Sequence, residues 1–442
     1  MTQLFGTDGI RGRAFQPPLD EETVRRLGAA LAVELRGIED APRALLAGDT
    51  RASTLALATW LGESLQGGGG IVTWAGVLPT PAVSSLVRDG GYLAGIVISA
   101  SHNPAADNGI KVLGRTGEKL ADSLEQRLEE RLATTPPGAG PPLPAAQTWL
   151  ADRYLALLRA THSEALPLRG LHVVVDSANG AASGLAQALL EQLGARVTAI
   201  ADRPNGANIN AGCGAIAPQD LVDTVRRLGA SAGLALDGDA DRAVLVDESG
   251  AILDGDDILL AWARHLTAHD RLPGRRVVAT VMSNFGLERA LAKEGMEMVR
   301  CPVGDRSVWT AMQAHGSALG GEQSGHVICA HHSVSGDGLL TGSHLLAIAT
   351  ASGWPLSRLS DLQRLPQVLL NVPVKRKRPF DELPGVRREL AGTEALLDGR
   401  GRVLLRYSGT EAVARVMLEG DDAVEITELA NRLAETIRSE LQ

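Results

Sequence analysis

The sequence has few cysteines, few aromatic residues and no long apolar run. Its three cysteines, Cys213, Cys301 and Cys329, lie far apart and show no C-x-x-C spacing. This argues against a disulfide framework and against a zinc site. Aromatic residues make up only 3% of the chain, and there is no stretch of about 18 apolar residues, the length that spans a bilayer. We therefore expect no membrane-spanning segment.

An excess of positive charge is also missing. The formal net charge of -9 at pH 7 argues against a nucleic-acid partner but is compatible with local basic pockets for phosphate. The first residues lack the charged-then-apolar pattern of a secretory signal, so we expect a cytoplasmic protein. A chain of 442 residues with 44% hydrophobic residues and 50 glycines predicts about two to four domains with α/β packing.

Strand and helix patterns alternate over most of the chain, which predicts mixed, mostly parallel sheets. A stretch rich in proline and glycine, residues 134–144, marks a domain boundary. Similar α/β patterns recur over residues 171–247 and 252–365. The final block, with a helix predicted over residues 423–441, has the mixture of an α+β domain.

A polar loop follows the buried-strand pattern of residues 93–98 and contains Ser101. A hydroxyl on a tight loop at the end of a strand is a common way to present a nucleophile, although most such serines only bond local backbone. No G-x-S-x-G motif surrounds Ser101, so a hydrolase elbow is not predicted. Because adjacent side chains of an extended segment point apart, we expect Ser101 and His102 not to pair.

Three aspartates, Asp237, Asp239 and Asp241, alternate between two apolar strand patterns. Carboxylates this close repel one another unless a cation neutralises them, which favours a hard divalent ion, Mg²⁺ ahead of Ca²⁺. A Ca²⁺ EF-hand is an alternative because Glu248 completes the ligand spacing. However, Arg242 stands where that loop needs glycine, and the flanking patterns are strands. A solvated acidic hairpin is the other alternative.

Three further motifs carry polar groups suited to sugar phosphates. The opening segment 5–12, with Arg11, predicts an anion cradle or a plain glycine turn. The loop Glu322–His326 ends a strand with groups suited to sugar hydroxyls, and a structural histidine is an equal alternative for His326. The segment 406–411 combines an arginine, hydroxyls and a glycine in a pattern typical of a phosphate cradle.

Two other motifs look functional at first and favour simpler interpretations. Cys329, His331 and His332 fit no zinc spacing, so we interpret them as packing or surface residues. The basic run Lys375–Arg378 is too short to imply nucleic-acid binding, and a solvated face is the favoured interpretation.

Taken in order, the Ser101 loop, the Asp237–Arg242 loop, the Glu322–His326 loop and the 406–411 segment resemble the α-D-phosphohexomutase family over the whole chain. The resemblance implies an α/β fold of four domains around a central cleft. The first three are related α/β units with mixed, mostly parallel sheets, and the fourth is α+β. The expected domains are 1–148 with the phosphoserine loop, 149–250 with the metal loop, 251–365 with the sugar-recognition loop, and 366–442 with the phosphate-binding loop.

The resemblance also implies an isomerase that transfers a phosphoryl group through a phosphorylated serine. The implied catalytic residues are Ser101, Arg11, Lys111 and His326, and the implied ligands of Mg²⁺ are Ser101, Asp237, Asp239 and Asp241. The implied substrate-binding residues are His102, Arg242, Glu322, Ser324, Arg406, Ser408, Gly409, Thr410 and Arg415. Ala412 stands where the family usually has proline, which is expected to loosen this last loop slightly.

Within the family, the opening motif and Gln323 are most similar to bacterial members that act on glucosamine phosphates. Members that act on mannose and glucose phosphates usually carry methionine at that position and remain the alternative. The expected cofactors are Mg²⁺ and a hexose 1,6-bisphosphate as activator and intermediate. The expected partner is a small-molecule sugar phosphate, with no nucleic acid, no membrane and a homodimer left open. A catalytically silent sugar-phosphate binder is the alternative from another class, although it would be expected to lack Ser101 or one of the aspartates.

Overall fold

The structure is a computed structural model that describes residues 4–6, 8–408 and 411–441. These residues divide into two compact units. The first runs up to Thr280 and includes Val299–Asp361, and the second consists of Val281–Met298 and Leu362 onwards. Among the described residues, every helix is too short or too polar to cross a membrane.

The first sheet has a parallel centre and an antiparallel edge. Strand order is β1-β5-β4-β2-β3, with β2 parallel to β3 and β4 and with β5 antiparallel to β1 and β4. Every residue of β4 is buried because helices cover both faces of the sheet centre. The elements are β1 Ile10–Arg13, α1 Glu21–Arg36, β2 Arg43–Gly48, α2 Thr54–Gly67, β3 Ile71–Val77, α3 Thr80–Gly90, β4 Ala94–Ile98, β5 Asp107–Gly114 and α4 Asp122–Thr134.

The second sheet repeats this arrangement. Its order is β10-β9-β8-β6-β7, with β6 parallel to β7 and β8 and with β9 antiparallel to β8 and β10. The carboxyl ends of β6 and β8 therefore lie at one edge of the sheet, where ligands of α/β proteins bind. The elements are α5 Trp149–Arg159, β6 His172–Asp176, α6 Leu185–Gln192, β7 Arg196–Ile200, α7 Gln219–Leu228, β8 Ala232–Leu236, β9 Ala243–Asp247 and β10 Ile252–Leu253.

The third sheet has the order β12-β11-β13-β14, with β11 parallel to β13 and β13 antiparallel to β14. Asp337 caps α11 by accepting a hydrogen bond from Leu340 N, as its position before the helix predicts. The elements are α8 Gly255–Ala268, β11 Arg276–Thr280, α9 Phe285–Lys293, β12 Glu297–Cys301, α10 Asp305–His315, β13 Leu319–Gly321, β14 Val327–Cys329 and α11 Gly338–Ser352.

The second unit contains α9 and an antiparallel sheet of order β15-β17-β16. β15 is an edge strand, as Pro373 at its end predicts. Apolar residues of α12 and α13 pack against the sheet and form the core of this unit. The elements are β15 Gln367–Pro373, α12 Pro384–Leu397, β16 Gly401–Tyr407, β17 Val413–Gly420 and α13 Ala423–Leu441.

The prediction of three related α/β units with mixed sheets followed by an α+β part is confirmed by these sheets. Helix α9 belongs to the compact unit that contains the C-terminal sheet. The domain boundaries at 148, 250 and 365 and the arrangement around a central cleft stay predictions.

A histidine cluster, defined as His162, His332 and His344, packs beside Trp262 in the first unit. The ring centroid of His344 lies 4.3 Å from that of His162 and 4.6 Å from that of His332. Burial and the neighbouring histidines lower the pKa of His344 to about 2, and burial with Arg271 lowers the pKa of His332 to about 4. The prediction that His332 is a packing residue agrees with these contacts.

This cluster predicts a loss of stability in mild acid. Because these folded-state pKa values lie below the unfolded value of about 6.5, the unfolded chain binds more protons as the pH falls, and stability is lost below about pH 6.5. Between pH 7.5 and pH 5.5, His344 binds a proton in the unfolded chain but not in the folded protein. This difference is expected to lower the free energy of unfolding by about 1 kcal/mol. Urea unfolding at both pH values measures this change.

His344→Gln is expected to reduce the difference in stability between the two pH values. The matched control is His315→Gln, because His315 is exposed at the end of α10. Equal pH dependence in wild type and His344→Gln would show that the cluster is not responsible.

Candidate active site

Ser101 lies on the polar loop that follows β4, three residues after the last strand residue, Ile98. Only 1% of its surface is exposed. Its backbone adopts φ 51°, a left-handed conformation that is uncommon outside glycine. Ser101 N–H donates a hydrogen bond to Ser99 Oγ at 3.0 Å, and Ser101 Oγ donates to Asp237 Oδ2 at 2.7 Å. The loop therefore directs the hydroxyl at the metal loop, as its position after a buried strand suggested.

Arg51 holds the serine loop in place. Its guanidinium donates to the carbonyl oxygens of Ser101 at 3.0 Å, Asn103 at 2.8 Å and Asp107 at 3.0 Å. It also forms a fully buried ion pair with Asp49, at 2.9 Å. The sequence analysis did not single out Arg51, because its partners on the serine loop are distant in sequence.

The expectation that Ser101 and His102 point apart is wrong. Ser101 Oγ lies 3.2 Å from His102 Nδ1. The expectation assumed an extended backbone, whereas the left-handed conformation of Ser101 turns both side chains to the same side. Burial, with Arg242 and Arg11, lowers the pKa of His102.

The three aspartates lie on the loop between β8 and β9, and their ligand oxygens fall within 4.8 Å of one another. The flanking elements are strands, which agrees with the rejection of an EF-hand. Asp237 and Asp239 are fully buried and Asp241 is nearly so. Asp239 Oδ2 accepts hydrogen bonds from Thr80 Oγ1 at 2.5 Å and from Lys111 Nζ at 2.8 Å.

A glycine allows this loop to approach the serine loop closely. A Cβ atom on Gly238 would lie 2.5 Å from the carbonyl oxygen of Ser101 and 2.8 Å from Asn210 Nδ2. Any side chain at this position would therefore separate the two loops. The alternation of aspartate with small residues thus serves the contact with Ser101 as well as the placement of the carboxylates.

Lys111, on β5, supplies positive charge beneath the aspartates. Its Nζ lies 2.8 Å from Asp239, 3.6 Å from Asp241 and 3.1 Å from Asp8. Burial opposes the charge of Lys111, but these carboxylates outweigh it and hold its pKa well above the usual value. Sequence reasoning missed Asp8, although it lies in the glycine-rich opening motif that was singled out for Arg11.

One ammonium group does not neutralise the aspartates. Burial, together with Asp241 and Asp239, raises the pKa of Asp237 to about 8. Within the described part of the chain, Oδ1 of Asp239 and Oδ1 of Asp241 are buried and accept no hydrogen bond. Unpartnered buried carboxylate oxygens close to a serine hydroxyl fit a hard cation with oxygen ligands. The aspartates can therefore hold a metal ion.

A cavity of about 400 Å³ opens beside these groups. Arg11, His102, Arg242, Glu322 and His326, all predicted as site residues, line it. Among the described residues, the Nε atoms of Arg11 and Arg242 are buried and donate no hydrogen bond. The first unit thus brings cationic side chains, the serine loop and the loop Glu322–His326 to one cavity.

The loop Glu322–His326 adds acceptors to this cavity. Glu322 Oε1 accepts a hydrogen bond from Gly304 N at 2.9 Å, and Ser324 is exposed with its Oγ 3.4 Å from Glu322 Oε2. His326 is buried, with Nδ1 3.7 Å from Asp241 Oδ2. Gly336 N lies 3.1 Å from His326 Nε2, so the ring is oriented with Nδ1 towards Asp241.

The second unit carries the predicted phosphate residues. We name residues 408–412, between β16 and β17, the phosphate loop; Gly409 and Thr410 lie outside the described residues. Arg406 and Arg415 are paired directly across β16 and β17. Like charges in this register repel, so the pair favours an anionic ligand. Ser408 is buried, and its Oγ accepts a hydrogen bond from Glu411 N at 3.3 Å.

Comparisons with known proteins cover the whole chain. The phosphoglucomutase/phosphomannomutase family models match in order: alpha/beta/alpha domain I at residues 2–137, domain II at 152–250, domain III at 254–365, and the C-terminal domain at 369–436. The prediction of this family and of an isomerase of the phosphohexomutase type is confirmed by these matches.

Curated relatives and solved structures agree with the family models. A phosphoglucosamine mutase of Solibacter usitatus is 45% identical, with 99% of each chain covered, and one of Nitratidesulfovibrio vulgaris is 44% identical, with 100% of this chain and 99% of that protein covered. A phosphoglucomutase/phosphomannomutase family protein of Burkholderia thailandensis superposes with a TM-score of 0.82 at 24% identity, covering 99% of this chain and 97% of that one. The chain therefore belongs to the phosphoglucomutase/phosphomannomutase family, the α-D-phosphohexomutases.

Proposed function

We propose that this protein is a phosphoglucosamine mutase, which interconverts glucosamine 6-phosphate and glucosamine 1-phosphate. The observation that carries the proposal is the contact between the buried Ser101 hydroxyl and Asp237, beside a cavity lined by Arg11 and Arg242. Relatives named phosphoglucosamine mutase, 43–45% identical over nearly the whole chain, support the amino sugar as substrate.

In the proposed reaction, Ser101 carries a phosphoryl group. A sugar hydroxyl attacks the phosphorus, the bond from phosphorus to Ser101 Oγ breaks, and a bisphosphorylated sugar forms. After this intermediate turns over, Ser101 Oγ attacks the other phosphate, the bond from phosphorus to the sugar oxygen breaks, and the phosphoserine is restored. In the first step the sugar hydroxyl loses a proton and the departing Ser101 Oγ gains one. In the second step Ser101 Oγ loses its proton and the departing sugar oxygen gains one.

The charged residues of the cavity have proposed roles in this transfer. Arg11 and Lys111 offset negative charge on the transferring group, since phosphoryl transfer depends on positioning and on electrostatic stabilisation. His102 and Arg242 bind the phosphate end of the sugar, and Glu322 and Ser324 bind its hydroxyls. His326, whose Nδ1 faces Asp241, is the proposed site of proton transfer. Arg406, Ser408, Gly409, Thr410 and Arg415 bind the phosphate that does not react.

We propose Mg²⁺ as the metal, held by Asp237, Asp239, Asp241 and an oxygen at Ser101. A hard cation there supplies charge stabilisation for phosphoryl transfer. Among the described residues, Oδ1 of Asp239 and Oδ1 of Asp241 are buried and accept no hydrogen bond, which supports this assignment. A hexose 1,6-bisphosphate is the proposed activator because it can phosphorylate Ser101 when the intermediate escapes. As the source of glucosamine 1-phosphate, the enzyme would supply amino-sugar precursors of the cell wall in the cytoplasm.

A mutase assay with Mg²⁺ and a catalytic amount of hexose 1,6-bisphosphate tests the proposal. We expect kcat/KM for glucosamine 6-phosphate to exceed that for glucose 1-phosphate and mannose 1-phosphate by at least about tenfold, because a site built for a polar group rejects analogues that lack it. Preference for the neutral hexose phosphates would make the protein a phosphomannomutase/phosphoglucomutase. Phosphoserine without turnover of any substrate would leave a catalytically silent binder.

A further inference from the structure

The basic run Lys375–Arg378 is mostly exposed, as the interpretation of a solvated face predicts, and one of its lysines also contacts the phosphate loop. Lys377 Nζ donates a hydrogen bond to the carbonyl oxygen of Ser408 at 2.6 Å. At the other end of the loop, Val374 N donates to Ala412 O at 2.9 Å. The segment after β15 therefore contacts both described ends of the phosphate loop.

A second set of contacts fixes the base of this loop. Tyr407 OH donates to the carbonyl oxygen of Arg378 at 2.6 Å, and Arg378 N lies 3.3 Å from the same hydroxyl. The ring of Phe380 stacks on Tyr407 with centroids 4.4 Å apart. Tyr407 immediately precedes Ser408, so the basic run and the loop are held together at adjacent residues.

The contact made by Lys377 has an electrostatic consequence. A backbone carbonyl at the edge of an anion cradle presents partial negative charge to the ligand, which opposes binding. An ammonium group bound to that oxygen offsets this charge and restricts the orientation of the peptide group. Lys377 thus brings a third cation to Ser408, two residues after Arg406, which is paired with Arg415 across the strands.

The charges around the phosphate loop favour the binding of an anion. Among the described residues, the Nε atom of Arg415 is buried and donates no hydrogen bond. Of the loop residues that the structure describes, Glu411 is the acidic one, and its Oε2 lies 3.6 Å from Arg415 Nη2. Three cationic side chains and one carboxylate leave two positive charges, which a phosphate dianion would balance.

We propose that Lys377 is a positioning residue for phosphate binding, which holds the Ser408 carbonyl so that the phosphate loop can accept the non-reacting phosphate of the sugar. This inference rests on the proposed function of the loop. It assigns Lys377 an effect on affinity for phosphate and none on the transfer step itself.

Three variants of the full-length protein test the proposal: Lys377→Met, Lys377→Arg and Lys375→Met. Lys375 is the matched control, because it is an exposed lysine of the same run whose backbone N–H bonds Leu441 O. The measurements are KM and kcat for the preferred sugar phosphate, and the inhibition constant and calorimetric affinity of inorganic phosphate.

Lys377→Met is expected to raise KM and weaken inorganic phosphate binding about tenfold, the usual weight of a charge-assisted hydrogen bond, with kcat changed less than about twofold. Lys377→Arg is expected to restore most of the affinity, and Lys375→Met to behave like wild type. Equal effects of Lys377→Met and Lys375→Met would overturn the proposal. So would a fall in kcat with unchanged KM.

The same measurements separate this proposal from the proposed function. If the wild-type protein turned over no sugar phosphate and Lys377→Met still weakened inorganic phosphate binding, the mutase function would fail and the role of Lys377 would stand. If wild type and Lys377→Met bound inorganic phosphate equally well, the role of Lys377 would fail whatever the activity.

Discussion

Replacing Ser101 with alanine is expected to lower mutase kcat by a factor on the order of 10⁴ or more, as removal of an enzymic nucleophile does. Ser101 Oγ is the group that would carry the phosphoryl, and it already lies 2.7 Å from Asp237. The variant is expected to stay folded, because only one hydroxyl with a single donated hydrogen bond is removed. Steady-state turnover and intact mass together make the measurement, since Ser101→Ala should never gain the mass of a phosphoryl group.

The matched control is Ser99→Ala, which keeps the nucleophile. Ser99 Oγ donates to Asp49 at 2.6 Å and accepts from Ser101 N–H, so its loss is expected to loosen the loop. We expect a fall in kcat of about tenfold, consistent with misplaced reacting groups, with phosphorylation of Ser101 retained. Turnover by Ser101→Ala within tenfold of wild type would show that the nucleophile is elsewhere.

Replacing Asp237 with asparagine is expected to lower kcat/KM by about 10³-fold at ordinary Mg²⁺ concentrations, since electrostatic stabilisation of phosphoryl transfer accounts for several kcal/mol. The substitution preserves shape and removes one of three neighbouring buried carboxylates. Because burial and the neighbouring carboxylates raise the pKa of Asp237 to about 8, its side chain is largely neutral at pH 7 without metal. The metal-free variant is therefore expected to unfold at about the same temperature as the metal-free wild type. The loss should therefore appear in activity and in metal affinity, and not in stability.

Calorimetric titration with Mg²⁺ and thermal unfolding with and without Mg²⁺ check this expectation. Mg²⁺ should raise the unfolding temperature of wild type and of the control Asp223→Asn, whose aspartate is exposed on α7, but not that of Asp237→Asn. Tight Ca²⁺ binding without Mg²⁺ binding would reject the assignment of the metal. Full activity after chelation would reject the metal itself.

The site was predictable from sequence wherever the chemistry is local. Ser101 follows an apolar strand and the aspartates fill one short loop, so each could be recognised without knowledge of distant contacts. Helix α13 was predicted over residues 423–441 and is found at Ala423–Leu441, because its apolar spacing is regular. Strand β5 was harder to see, since Asp107, Asn108 and Gly109 resemble a turn. Pairing with β1 and β4 on both sides overrides that local preference.

The features that sequence reasoning missed depend on contacts between distant segments. Arg51 donates to carbonyl oxygens fifty or more positions away, and Lys377 contacts Ser408, 31 positions away. The contact between Ser101 and His102 depends on one left-handed residue that no periodicity reveals. Composition and spacing report which side chains are available, whereas these placements follow from tertiary packing.

The carbonyl oxygen of Ser101 accepts hydrogen bonds from Arg51 and from Asn210 Nδ2, at 3.0 and 2.9 Å. Arg51 lies in the first α/β domain, matched at residues 2–137, and Asn210 lies in the second, matched at residues 152–250. The position of the Ser101 carbonyl therefore depends on side chains from both domains. In a chimera that takes these two domains from different family members, the Arg51 and Asn210 contacts to the serine loop would come from different parents. Exchanging both domains together would keep the two contacts matched. For engineering, the two α/β domains are therefore best exchanged together, so that both hydrogen bonds to the Ser101 carbonyl are kept.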